Sequence, residues 1–224
     1  MTVALRAVLL DAVGTLVELQ PPAPRLRALL AAEGFPVAEE RARAAFRTEI
    51  AYYLEHHLDG GTREGLEELR DRCAATMLEA LGLPGLDHMR ARRVMLAALE
   101  FTPYPDAAPA LRALRAGGHR MAILSNWDCS LEDWLAPSGL LELVDGVVTS
   151  AVAGAAKPDP AIFGRALALL GAEAEGSVHV GDSLDKDVAG ARAAGIRAIL
   201  VARDRDAPAG VEAIGSLADL PSLL

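Results

Sequence analysis

The segment Leu9-Leu10-Asp11-Ala12-Val13-Gly14-Thr15-Leu16-Val17 places a carboxylate and a glycine directly after an apolar run. An apolar run, Val8 to Leu10, ends at Asp11 and is the length of one buried strand. Ligands bind at the carboxyl ends of strands in open parallel sheets, where a buried carboxylate is costly unless it binds a metal or does chemistry. Gly14 lets the backbone approach a ligand closely. Asp11 could equally open an ordinary turn, so the rest of the chain must decide.

Composition narrows the class of protein. The 224 residues include 22 basic and 31 acidic ones, a formal net charge of −9. This acidic balance argues against nucleic acid and anionic membrane surfaces as partners. No apolar run is long enough to span a bilayer, and no signal-peptide pattern is present. Cys73 and Cys129 have no metal-ligand spacing, so we expect a protein of the reducing cytoplasm.

The chain alternates between two kinds of pattern. Residues 18–101 contain no convincing strand and read as a four-helix insert, with helices expected at 25–33, 38–57, 62–81 and 87–100. Residues 1–17 and 102–224 form the expected core. After a rigid linker at 102–106, helices are expected at 107–116, 131–136, 160–170 and 185–194, and strands at 121–124, 146–149, 178–180 and 196–201. Alternation of this kind predicts an α/β core with a Rossmann-like parallel sheet and right-handed crossovers.

Polar residues follow several of the predicted strands. Asp11 ends the first strand, Ser125-Asn126 another and Asp182 a third, while Lys157 precedes a helix. Carboxylates on adjacent loops repel unless a hard divalent cation lies between them, and Mg²⁺ suits oxygen ligands and an anionic substrate. Asp11 could then act as a nucleophile. Ser125 and Lys157 could hold the negative oxygens of the transferred group.

Four motifs in this order resemble those of the haloacid dehalogenase-like (HAD) hydrolase superfamily, over about residues 7–201. They are Asp11-x-x-Gly14-Thr15, Ser125-Asn126, Lys157-Pro158 and Gly181-Asp182-Ser183-x-x-x-Asp187. The insert resembles the α-helical cap of the C1, subfamily I branch.

The resemblance implies roles for individual residues. Asp11 matches the nucleophile, and Ser125 and Lys157 match residues that bind the phosphoryl group. Mg²⁺ is expected on Asp11, Asp182 and the main-chain carbonyl of Val13, supported by Asp187. Further candidates for substrate contact are Gly14, Thr15, Asn126, Trp127 and, on the second insert helix, Arg47. His56 and His57 lack a third ligand and are read as ordinary histidines.

Val13 departs from the phosphatase pattern, which has a second aspartate there as general acid and base. The dehalogenase branch also lacks that aspartate, because halide leaves unprotonated. Dehalogenases, however, carry a tyrosine where this chain has Phe163, and they replace the acidic pair Asp182 and Asp187. In their favour, Phe46-Arg47 and Tyr52-Tyr53 loosely resemble a dehalogenase substrate-binding segment.

We therefore expect a Mg²⁺-dependent phosphatase for a small phosphorylated metabolite. The alternatives are a metal-independent 2-haloacid dehalogenase and a low-turnover protein that binds a metabolite or a partner. A small anionic substrate is expected for either enzyme. The protein itself is expected to be a monomer or a homodimer.

Overall fold

The computed structural model describes residues 7–203 and 206–224. It divides the chain into two compact units. The first contains the residues up to Glu18 and from Thr102 onwards, and the second runs from Leu19 to Phe101. The second unit therefore starts one residue later than the insert expected from the sequence.

A parallel sheet of six strands forms the centre of the first unit. The strands are β1 (Ala7–Leu10), β4 (Arg120–Ser125), β5 (Gly146–Thr149), β6 (Val178–Gly181), β7 (Arg197–Val201) and β8 (Ala213–Ile214). Their order across the sheet is β5-β4-β1-β6-β7-β8. The flanking helices are α5 (Ala107–Ala116), α6 (Leu131–Leu135), α7 (Ser150–Ala153), α8 (Pro160–Leu170) and α9 (Gly190–Ala193). This architecture confirms the predicted α/β class.

The strands are apolar because helices cover both faces of the sheet. Every residue of β1 is buried, as is usual for a central strand of a parallel sheet. On one face, Leu9 and Leu124 belong to the same apolar core as Ile162 and Phe163 of α8. Burial of this core fixes which face each strand residue occupies, and thereby the direction in which the polar residues at the strand ends leave the sheet.

The predicted helix at 185–194 is interrupted in the structure. Residues Leu184–Ala189 form a widened π-helical turn, and α9 follows it. The amides of Asp187 and Val188 both donate to the carbonyl of Ser183, which widens the turn. Gly181 lies so close that an added Cβ would be 2.3 Å from the Cγ of Asp187. Tight packing against β6, which periodicity does not report, explains this difference.

Three short strands were also missed. Residues 102–106 were expected to be only a linker, but Phe101–Pro103 forms β3, which pairs with β2 (Val17–Leu19) in a separate two-stranded sheet. Strand β8, beyond the last predicted strand, pairs with β7. Runs of two or three residues are too short to show a period of two in the sequence.

The second unit consists of α1 (Pro22–Ala32), α2 (Glu39–His56), α3 (Arg63–Leu81) and α4 (His88–Ala98), with a 3-10 turn at His57–Gly61. Side chains cap two of these helices, since Thr62 accepts from the amide of Gly65 and Asp87 from that of Arg90. The four helices bury one apolar core. Among the described residues, no helix combines the length and apolar character needed to cross a membrane.

Candidate active site

Three neighbouring strands deliver the polar residues to one edge of the sheet. Asp11 follows β1, Ser125 ends β4, and Asp182 follows β6, with β1 in the middle. The amide of Asp11 donates to the carbonyl of Val180 at 2.9 Å, so Asp11 continues the β1–β6 ladder. The backbone of Asp11 is therefore held as firmly as that of the strand itself.

Lys157 joins two carboxylates at this edge. Its Nζ donates to Oδ1 of Asp11 and to Oδ1 of Asp187, at 2.6 Å each. The side chains of Lys157 and Asp187 are each only 2% exposed, and that of Asp11 is 9% exposed. Charges this deeply buried are tolerated when they are paired and hydrogen-bonded. The arrangement places an ammonium directly beside the candidate nucleophile.

Asn126 holds the main chain of Lys157 at both of its polar groups. The amide of Lys157 donates to Oδ1 of Asn126 at 2.7 Å, and Nδ2 of Asn126 donates to the carbonyl of Lys157 at 2.9 Å. The peptide bond between Lys157 and Pro158 is cis. Asn126, a candidate for substrate contact, thus ties the loop after β4 to the lysine.

Asp187 receives three donors. Besides Lys157, Nε2 of His179 lies 2.9 Å from Oδ1, and the amide of Ser183 donates to Oδ2 at 2.9 Å. Burial opposes ionisation, but the charge of Lys157 and the hydrogen bond from His179 outweigh it and hold the pKa of Asp187 below its usual range. Asp187 is therefore a fixed anion with both oxygens engaged by protein groups.

The pKa of Asp11 is affected differently from that of Asp187, although the two carboxylates share Lys157. Burial raises the pKa of Asp11, Lys157 lowers it, and the nearby carboxylates of Asp187 and Asp182 raise it again. Burial lowers the pKa of Lys157, but the two carboxylates outweigh this and raise it. Lys157 is therefore charged, and Asp11 has more negative neighbours than one ammonium can compensate.

The carboxylates fit a divalent cation. One ligand oxygen from each of Asp11, Asp182 and Asp187 lies within 4.8 Å of the others, the one such group found among the described residues. Gly14, at φ +90°, leaves room for this cluster, because an added Cβ would lie 2.4 Å from Oδ2 of Asp182. Hard oxygen donors with excess negative charge suit Mg²⁺. Because protein donors engage Asp187 on both oxygens, it fits the supporting position.

The turn after Asp11 carries another feature of a binding site. Thr15 is fully buried, and its Oγ1 has no hydrogen-bond partner among the described residues. Its carbonyl accepts from Nη2 of Arg203 at 2.8 Å, and Arg203 also forms a bidentate pair with Asp106. No local sequence pattern indicates Arg203 or Asp106, because Arg203 is 97 positions from Asp106 and 188 positions from Thr15.

The other residues predicted to contact substrate or metal are Trp127, Val13 and Arg47, which lie on different elements. The amide of Trp127 donates to Oγ of Ser150 at 3.0 Å, which holds the loop after β4 against the start of α7. Val13 is half-buried in the turn after Asp11. Arg47 lies at an exposed position of α2, in the second unit.

Other polar groups have local structural partners. Nδ1 of His56 lies 2.9 Å from the carbonyl of Tyr52, and Nδ1 of His57 lies 2.9 Å from that of Leu54. Asp128 accepts from the amide and hydroxyl of Ser130, and Ser130 directly precedes α6.

The parallel sheet and the charged cluster at its carboxyl edge are those of an α/β enzyme. Residues 5–195 match the haloacid dehalogenase-like hydrolase family, and the chain therefore belongs to that family.

Two relatives are similar to part of this chain in sequence. The chain is 47% identical over 96 residues to haloacid dehalogenase-like hydrolase domain-containing protein 3 of Bos taurus, covering 43% of this chain and 38% of the relative. It is 40% identical over 101 residues to phosphoserine phosphatase of Thermus thermophilus, covering 45% of this chain and 41% of the relative. The matched part thus spans less than half the length of these relatives.

Solved structures match along nearly the whole chain. A HAD phosphatase from Thermococcus onnurineus superimposes with a TM-score of 0.67 at 25% identity, covering 98% of this chain and 97% of that one. A 2-haloacid dehalogenase from Pseudomonas syringae gives 0.70 at 24% identity, with the same coverage. The second likeness concerns the fold alone, which phosphatases and dehalogenases share.

Proposed function

We propose that the chain hydrolyses a small phosphorylated metabolite with Mg²⁺, through an aspartyl-phosphate on Asp11. The observation that carries this proposal is the group formed by Asp11, Asp182 and Asp187 around Lys157. Lys157 and His179 already engage Asp187, but a metal-independent dehalogenase has no evident use for the additional carboxylate of Asp182 beside Asp11. Relatives named as phosphatases, for phosphoserine and for glyceraldehyde 3-phosphate, support a phosphate ester as substrate.

In the first step, Asp11 attacks phosphorus. Lys157 holds Oδ1 of Asp11, which leaves Oδ2 to form the new oxygen–phosphorus bond. The ester bond breaks, and its electron pair leaves on the alcohol oxygen. The ammonium of Lys157 and the hydroxyl of Ser125 donate hydrogen bonds to the phosphoryl oxygens in this proposal, where their charge spreads in the transition state.

In the second step, water attacks the phosphorus of the aspartyl-phosphate, which releases inorganic phosphate and restores the Asp11 carboxylate. Asp11, Asp182 and the carbonyl of Val13 are the proposed ligands of Mg²⁺, which would supply positive charge beside the phosphoryl oxygens. We also propose that the second unit, residues 19–101, is the helical cap of this family. In this unit, Arg47 remains a residue that we predict to contact the substrate.

The test is a pair of assays. Phosphate released from an aryl phosphate is measured with Mg²⁺ and with EDTA, and halide released from 2-chloropropionate is measured with EDTA. We expect Mg²⁺-dependent phosphate release, and a loss of roughly 10³-fold or more in Asp11→Asn, which is nearly isosteric but not nucleophilic. Asp185→Asn, which changes an exposed carboxylate, is the control.

Halide release that EDTA leaves unchanged, without phosphate release, would establish the dehalogenase alternative. Val13 is the observation that favours this alternative, because halide needs no proton when it leaves. Neither product, together with tight binding of an anion, would instead support a low-turnover binding protein.

A further inference from the structure

His179 has a position that an ordinary core histidine does not need. It lies within β6 and is 1% exposed. Its Nε2 lies 2.9 Å from Oδ1 of Asp187, the same oxygen that accepts from Nζ of Lys157. Asp187 is an ionised carboxylate and can only accept, so Nε2 of His179 carries the hydrogen.

The ring of His179 is fixed from behind. Phe163 of α8 packs edge-on against it, with ring centroids 5.1 Å apart and planes at 89°. The ring of Phe163 in turn packs against Gly190, where any side chain would clash, because an added Cβ would lie 2.8 Å from the ring. Burial lowers the pKa of His179, and the Asp187 carboxylate opposes this. The imidazole is therefore held in one orientation, with its donor aimed at Asp187.

We propose that His179 is a positioning residue, which keeps Lys157 on Asp11 by sharing Oδ1 of Asp187. With His179 donating, the Asp187 oxygen is partly satisfied, and Lys157 can divide its hydrogen bonds evenly, at 2.6 Å to each carboxylate. Without this donor, Asp187 draws Lys157 towards itself and away from the nucleophile. For turnover, the inference rests on the proposed phosphatase reaction.

Three variants distinguish the role of the N–H donor of His179 from that of its aromatic ring. His179→Phe keeps an aromatic ring against Phe163 but has no N–H. His179→Gln carries an amide N–H at about the reach of Nε2, whereas His179→Asn is polar but too short to reach Asp187. Ser177→Ala is the matched control, because it removes another, partly buried hydrogen bond, to the carbonyl of Glu173, just before the same strand.

The first measurement is a distance in crystal structures and does not depend on enzymatic activity. In crystal structures of the variants, we expect the distance from Lys157 Nζ to Asp11 Oδ1 to lengthen in His179→Phe and His179→Asn. It should return to the wild-type value in His179→Gln. An unchanged distance in both His179→Phe and His179→Asn overturns the proposal, whatever reaction the enzyme catalyses.

The second readout is kinetic. We expect kcat for an aryl phosphate to fall about tenfold or more in His179→Phe and His179→Asn, with partial or full recovery in His179→Gln. KM should change much less, because His179 lies behind Asp187 and touches no substrate. Equal losses in Gln, Asn and Phe variants, matched by equal losses of thermal stability, indicate a purely structural role and overturn the proposal. If the wild type releases no phosphate, the proposed function fails, and the Lys157 distance alone decides about His179.

Discussion

Val13 is the residue at which this chain departs most from a phosphatase. Valine can neither protonate a leaving alkoxide nor activate water, and general acid–base catalysis typically contributes about 10²–10⁴-fold. The described residues around Asp11 provide a cation in Lys157 and anions in Asp182 and Asp187. Asp187 is held below its usual pKa and has no proton to give at neutral pH. In the proposed phosphatase reaction, departure of the alcohol should therefore depend on the stability of the leaving group.

The first prediction concerns this dependence. Hydrolysis rates should fall steeply as the pKa of the leaving group rises, so that aryl phosphates react much faster than alkyl phosphates. Val13→Asp should raise the rate most on alkyl phosphates, by up to about 10²–10⁴-fold. Rates for phosphate esters of graded leaving-group pKa would measure this effect.

Val13→Asn is the matched control, because it has the same shape as the aspartate without an acidic group. A flat dependence in the wild type, with no gain in Val13→Asp, would show that another group already supplies the proton. The gain is limited by charge, since a further carboxylate would join a site that already has three.

At the scale of elements, the strands and most helices follow from the sequence, and the contacts between their ends do not. Burial of apolar runs and the glycine and proline breaks predict β1, β5, α5 and α8 to within a residue or so. The pairing of Lys157 with Asp11 joins residues 146 positions apart, and no local pattern encodes it. The motifs predict which side chains lie at this edge of the sheet, whereas the π-helical turn that carries Asp187 and its close approach to Gly181 are tertiary features that no motif indicates.

Helix α2 contains a carboxylate that the sequence analysis did not single out. Glu49 is buried within the second unit, and burial raises its pKa from 4.5 to about 7, opposed by a hydrogen bond from Cys73. Between pH 4.5 and about 7, Glu49 is protonated in the folded state and ionised in the unfolded state. The stability of the second unit should therefore decrease as the pH rises from about 4.5 to 7, and stay level above that.

The second prediction follows from this carboxylate. Glu49→Gln resembles the protonated form at every pH, so it should remove this pH dependence and stabilise α2 and α3 at pH 8 by up to about 3 kcal/mol. Hydrogen exchange of these helices in the intact chain, at pH 5 and at pH 8, would measure the change. Glu55→Gln, an exposed position on the same helix, is the control. An identical response in both variants, or none in Glu49→Gln, would contradict the assignment to burial.

At the scale of the whole molecule, negative charge is concentrated where binding is proposed. The chain has a formal net charge of −9, and the group of Asp11, Asp182 and Asp187 adds local repulsion that Lys157 only partly offsets. The folded first unit is the state that assembles these carboxylates, because they come from strand ends far apart in the sequence. A cation that binds them therefore stabilises the folded state over the unfolded one by mass action.

The last prediction uses this linkage. At a Mg²⁺ concentration of about 100 times Kd, binding should add about 2.7 kcal/mol and raise the melting temperature of the first unit by roughly 5 to 11 °C. Both tryptophans, Trp127 and Trp134, belong to the first unit, so their fluorescence reports on its unfolding alone. Asp182→Ala should abolish the Mg²⁺ shift. Asp185→Ala, an exposed carboxylate three residues further on, should keep the full shift. A shift of the same size in Asp182→Ala would mean that Mg²⁺ binds elsewhere and that Asp182 is not a ligand.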